Sequence, residues 1–108
     1  MMWIFTTKGF LSVVQHNTME NHFQIKSRVP EPLSELWPDH DIQVIDWADY
    51  RYRIDIRKED AVPVIMGLLE SVDYTNFKHE CSGSHEYHRA LGGVWSTMFH
   101  FQGRMESQ

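Results

Sequence analysis

Apolar and polar residues alternate with a period of two through much of the first half of the chain. In Phe23 to Val29, Phe23, Ile25, Ser27 and Val29 fall on one side and Gln24, Lys26 and Arg28 on the other. That spacing predicts a half-buried strand. Tyr50 to Arg57 repeats the pattern, with Tyr50, Tyr52, Ile54 and Ile56 opposite Arg51, Arg53, Asp55 and Arg57. Trp3 to Thr7 and Phe10 to Gln15 are rich in aromatic and β-branched residues and read as two strands joined by a turn at Lys8-Gly9. Pro30 and Pro32 end the strand run and open a short helix to Trp37. Ile42 to Asp46 reads as a further strand.

The period lengthens after Glu59. Val62, Ile65, Leu69 and Val72 recur at helical intervals, with Pro63 placed in the first turn of that helix. Asp73 to Cys81 reads as a short link, in which Tyr74 and Phe77 plug the core or form a contact surface and Asp73 or Thr75 caps the next turn. Ser84 is a predicted N-cap for a second helix carrying Tyr87, Leu91, Val94, Trp95, Met98 and Phe99, which Gly103 is expected to stop. The order β-β-β-α-β-β-α-α puts strands early and helices late. It predicts an α+β fold with a mainly antiparallel sheet of about five strands and helices packed on one face. One domain over residues 1–103 and a flexible tail over residues 104–108 are expected.

Composition narrows the setting. A single cysteine, Cys81, excludes an internal disulfide and fits a reducing, cytoplasmic location. No apolar run reaches the roughly 18 residues of a membrane span, and no signal-peptide core follows the N-terminus. The formal net charge of −5 opposes a nucleic-acid partner overall and suits a protein that occupies another protein's basic groove.

Three residue groups carry candidate chemistry. Lys26, Arg28, Arg51, Arg53 and Arg57 fall on the polar side of the two alternating strands; in one sheet they would form a basic face able to hold phosphate, a nucleotide or RNA. His79, Cys81, His85 and His88 offer nitrogen and sulfur ligands within one short segment, although their spacing matches no usual zinc pattern. His40, Asp46, Asp49, Tyr50 and Asp73 are acid–base candidates by residue type, and Cys81 beside His79 or His85 is a candidate nucleophile. No G-x-S-x-G, phosphate-binding loop, H-E-x-x-H or G-x-G-x-x-G is present. No catalytic residue and no cofactor is assigned.

The segments Met2 to Gln15 (MWIFTTKGFLSVVQ), Asp49 to Arg53 (DYRYR), Asp73 to Lys78 (DYTNFK) and Tyr87-His88 followed by Trp95-Ser96 resemble a family of small bacterial proteins of about this length. The resemblance implies a standalone bacterial or phage-borne protein, and it carries no activity and no site residues. Size, acidity and aromatic content lead to the expectation of a non-enzymatic interaction module. Its expected partner is another protein, with inhibition of a host nucleic-acid machine as one form and a homodimer as another. The alternative is a nucleotide, RNA or phosphate-ligand binder using the basic sheet face.

Overall fold

The computed structural model describes residues 1–107. The chain groups into two compact units, one over Met1–Val72 and one starting at Asp73. The first holds β1 (Met2–Thr6), β2 (Gly9–Gln15), β3 (His22–Ser27), α1 (Glu31–Leu36), β4 (Gln43–Val44), β5 (Tyr52–Arg57) and α2 (Lys58–Glu70). The second holds α3 (Phe77–Glu80) and α4 (His85–Glu106). The fold is α+β, with one five-stranded antiparallel sheet in the order β1-β2-β3-β5-β4.

Alternation decides which sheet face is buried. Leu11 lies opposite Ile4, Val13 opposite Ile25, Ile25 opposite Ile54 and Phe23 opposite Ile56. Leu11, Val13, Ile25, Ile54 and Ile56 are buried there in one cluster with Leu33, Trp37 and Ala61, so α1 and α2 cover this face. Burying each of these aliphatic side chains contributes about 1.5–3 kcal/mol.

The β1–β2 hairpin turns through Thr7-Lys8. The Thr6 hydroxyl donates to the Gly9 carbonyl (2.8 Å) and accepts from the backbone N–H of Lys8 (3.0 Å) and Gly9 (3.1 Å). Gly9 has φ +139°, and a Cβ there would lie 2.3 Å from Pro32 Cγ, so both backbone conformation and the α1 contact require glycine.

Several element boundaries differ from the sequence reading. The strand expected over Ile42 to Asp46 is reduced to Gln43–Val44, because a turn closes at Ala48 N–H to Ile45 O (3.1 Å). α2 begins at Lys58, which places Pro63 beyond its first turn and leaves the Glu59 carbonyl without its helical donor. Asn76, not Asp73 or Thr75, caps α3 by accepting from His79 N–H (3.0 Å). Ser84 caps α4 by accepting from Tyr87 N–H (3.4 Å), as its sequence position predicts. Gly103 does not stop α4: its carbonyl accepts from Ser107 N–H (3.2 Å), and Gln102 donates to Glu106 (2.8 Å) across the same turn.

Candidate ligand-binding sheet face

The second face of the sheet is built by the residues between the core positions. Trp3, Ser12, Lys26, Arg53 and Gln43 are consecutive cross-strand partners and form one row through all five strands. A neighbouring row begins with Phe5 opposite Phe10. Aromatic residues therefore occupy the β1–β2 side of this face, and Lys26 and Arg53 occupy β3 and β5.

The aromatic side is a connected cluster. Phe5 and Phe10 stack at 4.6 Å between centroids, Trp3 meets Phe10 edge-on at 5.8 Å, and Tyr50 lies 6.3 Å from Phe10. Trp3 is 59% exposed. Tyr50 departs from the alternation expected of it, because β5 starts only at Tyr52; its ring turns to Phe10 on the polar face. The Arg28 guanidinium sits 4.2 Å above that ring and pairs with Asp49 at 3.1 Å.

The expected cations do not act alike. Arg51 pairs with Asp46 at 2.6 Å, and Arg57 pairs with Asp60 at 3.0 Å and with Glu59 at 3.4 Å. Hydrogen bonds to Asp49, Asp46 and Asp60 respectively raise the Arg28, Arg51 and Arg57 pKa further. Lys26 and Arg53 form no ion pair among the described residues. They are directly opposed and half-buried. Like charges directly opposite each other on a sheet are unfavourable, and a bound anion would offset that. Arg53 is held in place by donating to the Tyr50 carbonyl (2.8 Å) and to Gln24 Oε1 (3.4 Å).

A polar network closes the other end of the face. Asp55 accepts from Gln24 (3.2 Å) and Gln43 (2.9 Å) and faces His16 Nε2 at 3.2 Å. His16 Nδ1 accepts from the backbone N–H of Thr18 (3.2 Å) and Met19 (3.0 Å), so Nε2 carries the hydrogen donated to Asp55. Both ring nitrogens are committed to holding the β2–β3 loop, which makes the pair a structural brace.

The other candidates are dispersed. Asp46 and Asp49 are engaged by arginines, Tyr50 is packed in the aromatic cluster, and Asp73 lies in the second unit. His40 keeps Nδ1 buried with no partner. His79 lies on α3, Cys81 ends it, and His85 and His88 lie in the first turn of α4. Among the described residues, no three His, Cys, Asp or Glu side chains come together as a metal-holding group. Burial pushes the Cys81 thiol up, with Glu80 adding to the effect, which opposes thiolate formation for catalysis or metal binding.

The sequence pattern puts Lys26 and Arg53 on one face, as the register does, but does not indicate the aromatic half of that face. The signal was present in the alternation of Trp3 and Phe5, whose side is fixed only once the two-residue turn sets Phe5 against Phe10. No protein-family model, curated protein or solved structure matches the chain. No helix among the described residues is long and apolar enough to cross a membrane.

Proposed function

We propose that this chain is a non-enzymatic binding module that takes a phosphate-bearing ligand with a flat aromatic ring on its polar sheet face. The observation that carries the reading is the opposed pair Lys26 and Arg53, neither ion-paired among the described residues and one strand away from the Phe10 cluster. Phosphate would satisfy the two cations, and the ring would stack beside Trp3 and Phe10. The engaged state of His16, Asp46 and Asp49 and the raised Cys81 thiol support binding over catalysis. The net charge of −5 opposes long-range attraction of an anion. Binding is therefore expected to be weak and salt-sensitive.

The test is a calorimetric titration with UMP and AMP at low salt. Lys26→Glu should abolish binding, whereas Arg57→Gln should leave it unchanged, since Asp60 and Glu59 already neutralise Arg57. Equal binding by wild type and Lys26→Glu would overturn the reading.

A second reading, contact with another protein or a second copy of this chain, rests on α4. Trp95, Met98, Phe99, Phe101 and Met105 are all exposed on this helix. An apolar surface of this kind marks a contact site more often than an ordinary surface.

A further inference from the structure

Resting on that reading, the geometry points to single-stranded nucleic acid as the ligand class, lying across the strands from Trp3 towards Trp47. Trp47 occupies the β4–β5 hairpin tip and is 90% exposed. The two carboxylates flanking it are already paired, Asp46 with Arg51 and Asp49 with Arg28. The tip is thus braced on both sides, and the flanking carboxylates are already engaged by arginines.

Trp3 sits on the edge strand β1, and Trp47 follows the opposite edge strand β4. Four strand spacings of roughly 4.8 Å separate these edges, a span of about 19 Å. Lys26 and Arg53 lie between them in the same row as Trp3. One base with its own phosphate cannot reach both tryptophans. A strand can, with a base at each aromatic end and its phosphates over the cations. At 3.4 Å per stacked nucleotide the span is about six nucleotides, and fewer in a stretched strand. A duplex is excluded by the same geometry, because its bases are stacked on one another and cannot lie on Trp3 or Trp47. Aromatic surfaces beside a cationic track are the means by which single strands are held without sequence readout.

The experiment measures fluorescence anisotropy of the full chain with labelled oligo(dT) and oligo(U) of two to twelve nucleotides, alongside UMP and a twelve-base-pair duplex. Affinity should rise with length and level off by about six nucleotides. Binding should weaken with salt at a log–log slope of roughly −1.4 for two phosphates neutralised. Trp47→Ala should weaken the octamer by roughly 5- to 150-fold, the loss expected for one base–aromatic stack, and leave UMP untouched. Trp3→Ala should weaken both, and the exposed position of each tryptophan allows circular dichroism to verify that the variants fold. UMP binding as tightly as the octamer, with Trp47→Ala silent, would overturn the strand and leave the phosphate-ligand reading standing. Duplex binding equal to single strand would overturn it too. Failure of UMP and every oligomer to bind would remove both proposals.

Discussion

Gly9 shows how a single residue ties the hairpin to the helix behind it. Its φ of +139° is costly for any residue with a side chain, and the space a Cβ would need is filled by Pro32. Gly9→Ala should therefore cost about 1–3 kcal/mol, the usual penalty of overpacking. In thermal unfolding it should lower Tm by on the order of 10 °C. Gly67 is the contrast: it lies inside α2, and a Cβ there meets nothing within 4 Å. Gly67→Ala should leave Tm unchanged or raise it, since alanine favours the helix. A fall for Gly67→Ala as large as for Gly9→Ala would show that steric contact is not what Gly9 avoids. Both glycines are visible in the sequence, but their opposite environments are not. The Pro32 contact depends on α1 returning over the sheet, which no local pattern near Gly9 encodes.

At the scale of elements, legibility followed the strength of the period. β3 and β5 were readable because four or more positions alternate in each, and their register places Lys26 opposite Arg53 as one shared face requires. The strand expected over Ile42 to Asp46 shrinks to Gln43–Val44, since a two-residue edge strand has no period to read. α4 runs past the stop expected at Gly103 because glycine ends a helix where the backbone turns left-handed, and at Gly103 it stays helical. α4 gives a further prediction. Met98 and Phe99 are 54% and 57% exposed, so changing both to serine should alter thermal stability by less than about 1 kcal/mol. If α4 is a contact surface between copies, sedimentation should show concentration-dependent mass for the parent and none for the double variant. The same concentration dependence in both would exclude this part of the helix as the contact.

At the scale of the molecule, the core cluster and its half-buried partners all lie between Ile4 and Ile65. The first unit thus contains its own core, and a fragment ending at Val72 should unfold cooperatively with the strand signature of the full chain. A fragment that is unfolded by circular dichroism would show that the sheet needs the segment after Asp73 to fold. Such a domain is at the small end of what one core supports, so modest stability is expected. The alternation of β3 has a consequence for how this protein can vary. Ile25 answers to the core and its neighbour Gln24 to the polar network around Asp55, while Lys26 has neither tie. Scored for folding, a complete mutational scan of the strand would resemble a comb whose teeth stand at the core positions, so that Lys26 could vary without touching the fold.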